Sequence, residues 1–133
     1  MNLSSRGRYS TRAMIELATR SPNGPVPLSS IAACQNISRK YLQQLMSQLR
    51  RAGLVRVRKG NKGGFMLARP PDEIRISEIL SAVEGNLEIV ECVKNKDLCE
   101  RSDICKARKI WTEASRVMIH YFESTTLASV LMD

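Results

Sequence analysis

The sequence predicts a mainly α-helical fold with one small β-hairpin, and three observations carry that expectation. Apolar residues recur at helical spacing in several separate stretches. Two short strand-like runs, Leu54–Lys59 and Gly64–Leu67, flank a basic, glycine-rich turn, Gly60-Asn-Lys-Gly63. Clusters of turn formers, Ser21-Pro-Asn-Gly-Pro-Val-Pro27 and Arg69-Pro70-Pro71, separate those runs. A chain of 133 residues with 43% hydrophobic content fits one domain, or one small domain with an oligomerisation appendage, and argues against disorder.

Taken in order, Tyr9, Ala13, Met14, Leu17 and Ala18 mark a first helix over 8–19. Leu28–Ala33 forms a short second helix, with Ser29 or Ser30 as its expected cap. Gln35-Asn36-Ile37 breaks the pattern, and Ser38 is placed to cap a third helix. There Tyr41, Leu42, Leu45, Met46 and Leu49 make a core-facing stripe, and Gly53 stands just past its end. Two short helices and a capped third match a helix-turn-helix, and the hairpin that follows is its wing. Ile74, Ile76, Ile79, Leu80 and Val83 mark a supporting helix closed by Gly85. After Cys105 comes the longest helical pattern, Ala107, Ile110, Trp111, Ala114, Val117, Met118, Tyr121 and Phe122. Little core remains for this seam to cover, so it is expected to lie on a second copy, the alternative being packing against the first helix of its own chain. Leu127, Ala128, Val130 and Leu131 are expected to tuck the tail onto a neighbour. The expected organisation is a winged helix-turn-helix unit over 1–85, a cysteine loop over 86–105, and a dimerisation helix with tail over 106–133.

Charge points to a partner for the first unit. Residues 1–67 hold 12 Lys/Arg and one acid, Glu16, whereas residues 68–133 hold 9 Lys/Arg and 12 acids, for a net charge of +8. One basic half suggests contact with a polyanion, and double-stranded DNA is the leading candidate. The exposed face of the third helix, with Ser38, Arg39, Lys40, Gln43, Gln44 and Ser47, supplies the amide and guanidinium groups that fit base edges in a major groove. Arg58, Lys59 and Lys62, with Arg56, put cations on the wing for phosphates or a minor groove. A homodimer suits a palindromic operator. The N-terminus lacks the apolar core of a signal peptide and no run is long enough to span a bilayer, so a cytoplasmic protein without membrane contact is expected. Neither a Walker loop, a histidine-centred triad nor a carboxylate pair on an apolar face is present, so an enzyme is not expected.

Cys92, Cys99 and Cys105 put three of the four cysteines within fourteen residues, separated by six and five residues. In a reducing compartment such thiols can bind a soft metal or an iron–sulfur cluster, cycle between thiol and disulfide, or be three cysteines without a special role.

Several motifs together resemble a known group. They are Ser5-Arg-Gly-Arg-Tyr9, Gly24-Pro-Val-Pro-Leu28, Ile37-Ser-Arg-Lys-Tyr-Leu-Gln-Gln-Leu45, Leu49-Arg-Arg-Ala-Gly-Leu54, Gly63-Gly-Phe65, Ile79-Leu-Ser-Ala-Val-Glu84 and the three-cysteine loop. Over essentially all 133 residues the chain resembles the bacterial winged-helix regulators typified by the iron–sulfur cluster assembly regulator, IscR, whose relatives respond to nitric oxide, iron or cysteine status. The resemblance implies a homodimeric transcriptional regulator gated in many members by an iron–sulfur cluster, [2Fe–2S] or [4Fe–4S], on the positions of Cys92, Cys99 and Cys105. Many members have five residues in both gaps, and here the first gap has six. Where relatives keep a fourth ligand, this chain has Arg108 or Arg8, and a guanidinium stays protonated. The remaining candidates are Asp97, Glu100, Asp103, Glu16, Glu84, Cys34, His120 and solvent or a small exogenous ligand, although His120 lies about 22 Å along a helix from Cys105. The alternatives are a metal-free thiol-switch regulator and a protein-interaction module that docks on an enzyme.

Overall fold

The computed structural model describes residues 3–132. Seven α-helices and one two-stranded antiparallel sheet follow in the order α1 (Ser5–Arg20), α2 (Leu28–Gln35), α3 (Arg39–Arg51), β1 (Val55–Arg58), β2 (Gly64–Leu67), α4 (Ile76–Glu84), α5 (Glu91–Lys94), α6 (Lys106–Ser124) and α7 (Leu127–Leu131). The fold is therefore mainly α with a small hairpin, as expected. None of its helices is long and apolar enough to cross a membrane among the described residues.

Local signals explain most boundaries. Ser4 caps α1 by accepting the N–H of Gly7, so the helix starts at Ser5, three residues before the expected start at residue 8. At α2 the serine cap is not found. The helix begins at Leu28, and the Pro27 carbonyl accepts the N–H groups of Ser30 and Ile31. Proline's fixed φ suits the entry, and Ser29 and Ser30 fall in the first turn. Asn36 then takes a left-handed conformation (φ 53°), which an asparagine tolerates, and the chain turns within Asn36-Ile37-Ser38. Ser38 caps α3 with its hydroxyl accepting the Tyr41 N–H at 3.2 Å. At the other end Gly53 has φ 78°. Its N–H meets the Arg50 carbonyl at 3.0 Å, and the Leu54 N–H meets the Leu49 carbonyl at 3.0 Å. This paired closure favours glycine at the left-handed position.

The hairpin pairs Val55 with Leu67 and Arg58 with Gly64. Val26 adds a third short rung, exchanging both backbone hydrogen bonds with Phe65 at 2.8 and 2.9 Å. A Cβ at position 64 would collide with the Val26 carbonyl, so glycine is what lets this rung form.

The core joins all these pieces. Met14, Leu17, Ile31, Leu42, Leu45, Met46, Leu49, Leu54, Ile74, Ile79, Leu80 and Leu127 are completely enclosed or nearly so. Ile74 is extended rather than helical, and its carbonyl accepts the Leu127 N–H at 2.9 Å. The tail thus returns to its own chain's core through Leu127. The cysteine segment also carries more structure than its aperiodic sequence suggests, since Cys92 lies on α5 and a 3-10 turn covers Lys96–Leu98.

Candidate nucleic-acid interface and thiol loop

The outer face of α3 and the hairpin both carry exposed polar and basic side chains. Ser38, Arg39, Lys40, Gln43 and Gln44 are exposed on α3, and Arg58, Lys59 and Lys62 are exposed on the hairpin. Ser47 is half-buried, and its hydroxyl donates back to the Gln43 carbonyl at 3.0 Å. Among the described residues, none of the five cations at positions 39, 40, 58, 59 and 62 takes part in a salt bridge. Their charge is therefore free to meet an external anion. The apolar stripe of α3 (Leu42, Leu45, Met46 and Leu49) is buried, so the helix is held rigidly with its polar side outward.

Sequence reasoning missed the contacts that set α3 in place. Tyr9 on α1 meets Tyr41 on α3 edge-on, with ring centroids 5.9 Å apart. Arg12 lies over the Tyr9 ring at 5.2 Å, its Nε donates to Gln35 Oε1 at 3.1 Å, and it also donates to the Gln35 carbonyl. Gln35 in turn donates to Glu16 at 3.2 Å. A single guanidinium thus ties α1 to the end of α2, one turn before the recognition helix. The usable signal was the spacing of Tyr9 and Arg12, which share a helix face.

The loop thiols are all free; Cys92 and Cys105 are half-buried and Cys99 is exposed. Cys105 stands immediately before α6 as its N-cap residue. Between them the backbone is closed by local turn bonds, such as Ser102 N–H to the Cys99 carbonyl at 3.2 Å and Cys105 N–H to the Arg101 carbonyl at 2.8 Å. Arg108 Nε donates to the Cys92 carbonyl at 3.1 Å, which joins α5 to the first turn of α6. The N–H of Ile89 donates to the buried Ser115 hydroxyl at 3.0 Å and fastens the loop's entry to the same helix. In donor type, three thiols on one loop fit an iron–sulfur cluster. Among the described residues, no three His, Cys, Asp or Glu side chains are arranged as a group that could hold a metal ion. Cys34 lies elsewhere, exposed on α2 with Arg20 3.9 Å from its sulfur, and Glu84 is engaged at the start of α1.

Comparison with known proteins places this geometry. A family model described as Rrf2, an iron-dependent transcriptional regulator, matches residues 3–133. The HTH-type transcriptional regulator IscR of Aliivibrio salmonicida is 36% identical over 133 residues, covering 100% of this chain and 79% of that protein. Among solved structures, CymR, the global cysteine regulator of B. subtilis, superposes with a TM-score of 0.82 at 36% identity, covering 98% of this chain and 95% of that one. IscR of T. potens superposes with a TM-score of 0.83 at 34% identity, covering 100% and 88% respectively.

Proposed function

The chain belongs to the Rrf2 family of transcriptional regulators, and from that premise we propose that it is a cytoplasmic homodimer whose affinity for a palindromic operator is set by an iron–sulfur cluster on Cys92, Cys99 and Cys105. It is a DNA-binding regulator of the winged-helix class and not an enzyme. The observation that carries the proposal is the pairing of exposed basic and polar side chains with one loop. Five cations in no salt bridge among the described residues, and two exposed amides, lie on α3 and the wing. Three free thiols end where the exposed apolar seam of α6 begins.

In this reading Gln43 and Gln44 read base edges from α3, and Ser38, Arg39, Lys40 and Ser47 contact the groove or its backbone. Arg58, Lys59 and Lys62 hold phosphates or a minor groove from the wing. A cluster, when bound, supplies a redox-sensitive link among the three thiolates, [2Fe–2S] or [4Fe–4S]. The chain's own contribution is the path from that loop to the DNA-binding unit. Arg108 and Ser115 fix the loop's two shoulders on α6, and Glu84 fixes the end of α4 on the first turn of α1. An effector acts by binding one arrangement of these parts more tightly than another.

One observation favours a second reading. Among the described residues no three His, Cys, Asp or Glu side chains form a metal-holding group, and Arg108 is occupied with a carbonyl. A metal-free thiol regulator, or a module that docks on an enzyme, suits that arrangement. Iron and sulfide analysis with a visible spectrum on anaerobically purified protein separates the readings. Iron with a visible chromophore that disappears in Cys92→Ala, Cys99→Ala and Cys105→Ala supports the cluster; colourless, iron-free protein supports the second reading.

A further inference from the structure

The turn between α2 and α3 is held from outside by one side chain. Arg12 is exposed on α1, yet its guanidinium is engaged on both of its faces of use. Its Nε donates to Gln35 Oε1 at 3.1 Å, a second nitrogen donates to the Gln35 backbone carbonyl, and its Cζ lies 5.2 Å from the Tyr9 ring centroid. Gln35 is the last residue of α2, where backbone carbonyls run out of partners inside the helix. A guanidinium there satisfies one of them and sets positive charge at the negative end of the helix. The Gln35 amide is held from its other side too, donating to Glu16 at 3.2 Å.

The next residue, Asn36, is left-handed at φ 53° and ψ 50°, and two positions further Ser38 caps α3. The Gln35 carbonyl and the Asn36 nitrogen belong to one planar peptide, so anchoring the first orients the second. The same guanidinium also bears on α3. Tyr9, which it covers, meets Tyr41 edge-on at 5.9 Å, and the Tyr41 N–H is the one that Ser38 accepts. Both sides of the turn are thereby referred to one residue of α1.

We propose that Arg12 is a positioning residue for sequence reading: it sets the direction in which α3 leaves α2 and does not itself touch DNA. The inference rests on the assignment of base reading to α3 in the preceding section and adds what aims that helix. Side chains that read a ligand by directed hydrogen bonds must be held within roughly 0.5 Å and 10–20°. Cations acting on phosphates work largely through charge and tolerate a small tilt. A tilt of α3 therefore costs discrimination between sequences before it costs overall affinity. Lysine cannot replace Arg12 in this role, because it keeps the charge but lacks the planar fork that meets two acceptors while lying on a ring.

The test measures, by fluorescence anisotropy over a salt series, the ratio of affinities for two duplexes. One is selected from a random pool by the wild-type protein, and the other is a scrambled duplex of the same composition. Full-chain wild type is compared with Arg12→Ala, Arg12→Lys, Gln35→Ala, the Arg12→Ala/Gln35→Ala pair, Gln43→Ala and Gln44→Ala. The ratio is insensitive to an unfolded fraction, since both duplexes meet the same active protein. Arg12→Ala and Arg12→Lys are each expected to lower the ratio about tenfold, the weight of one base-edge contact, with an unchanged salt slope. Gln35→Ala should lower it less, because the backbone acceptor remains, and should add nothing to Arg12→Ala. A salt slope smaller by about 1 in Arg12→Ala, restored in Arg12→Lys, makes Arg12 a phosphate contact and overturns the proposal. A wild-type ratio in both Arg12 variants, or losses that add in the pair, overturns it as well. The glutamine variants keep the two readings apart. If Gln43→Ala and Gln44→Ala retain the wild-type ratio, α3 is not the reader and both readings fall; if they lose it while the Arg12 variants retain it, only the positioning role falls.

Discussion

The carboxylate of Glu84, at the end of α4, accepts the N–H of Gly7 in the first turn of α1 at 3.0 Å, across 77 positions of sequence. The same oxygen takes the Ser4 hydroxyl, and Arg6 donates to the neighbouring Val83 carbonyl at 3.1 Å. The last residue before the Gly85 turn therefore caps the first helix of the DNA-binding unit. Glu84→Ala removes the nearer of two acceptors of the Gly7 N–H, and the acceptor of the Ser4 hydroxyl, and is expected to destabilise the protein by about 1 kcal/mol. A Cβ at position 7 would lie 3.0 Å from the Glu84 oxygen and 3.2 Å from Leu80, so the carboxylate is seated closely against α1. Denaturant unfolding at fixed protein concentration measures the effect of Glu84→Ala, and an unchanged midpoint contradicts the capping role.

How much of this was legible in advance depends on the range of the interaction. Ser38, Gly53 and the buried stripe of α3 act within a few residues, and their signals stand in the sequence. The Gly60–Gly63 turn between two short runs marked the wing equally well. The Glu84–Gly7 cap, the Arg12 clasp on Gln35 and the Ser115–Ile89 bond join residues 23 to 77 positions apart, and no periodicity encodes them. The cap of α2 was misplaced because two serines looked adequate, while the backbone carbonyl of Pro27 already served. For the thiols, spacing placed three cysteines on one segment but not their arrangement in space, which depends on the turns between them.

Acid sensitivity is expected at Glu78. Burial pulls its carboxyl upward, but the Arg75 N–H and the Arg69 guanidinium at 2.7 Å outweigh this and hold it below its ordinary value. A depressed folded pKa stabilises the protein above the unfolded value and loses that contribution as pH falls through the folded one. Glu78→Gln is therefore expected to be less stable than the parent near pH 7, by about 0.5 kcal/mol given its exposure. The gap should close as the pH drops below roughly 4, the ordinary glutamate range. Thermal unfolding between pH 3 and 7 checks this, and a gap that persists at pH 3 contradicts it.

The wing and the recognition helix are expected to fail differently. Replacing Arg58, Lys59 and Lys62 together by Ala should weaken binding across all duplexes and reduce the slope of log affinity against log salt by about 2–3. Gln43→Ala or Gln44→Ala should leave that slope intact and shift preference among base pairs by about 1–3 kcal/mol. Fluorescence anisotropy over a salt series reads both quantities, and an unchanged slope in the triple variant removes the wing from the phosphate contacts.

Gly53 offers a control on the fold alone. With φ at 78° and open space around it, Gly53→Ala is expected to cost about 1 kcal/mol through backbone strain without any clash. Chemical denaturation measures that cost, and an equally stable variant contradicts the need for glycine.

The central claim, that the thiol loop sets DNA affinity, is tested most directly by one anaerobic binding titration. The duplex is a 30-base-pair sequence selected from a random pool by the wild-type protein. Wild type is compared with Cys99→Ala at one salt concentration, because Cys99 is exposed and lies outside the buried core. The account predicts dissociation constants that differ by at least about fivefold, the lower end of ordinary allosteric coupling. Equal affinities, with the wild type retaining its iron and its visible chromophore, contradict it.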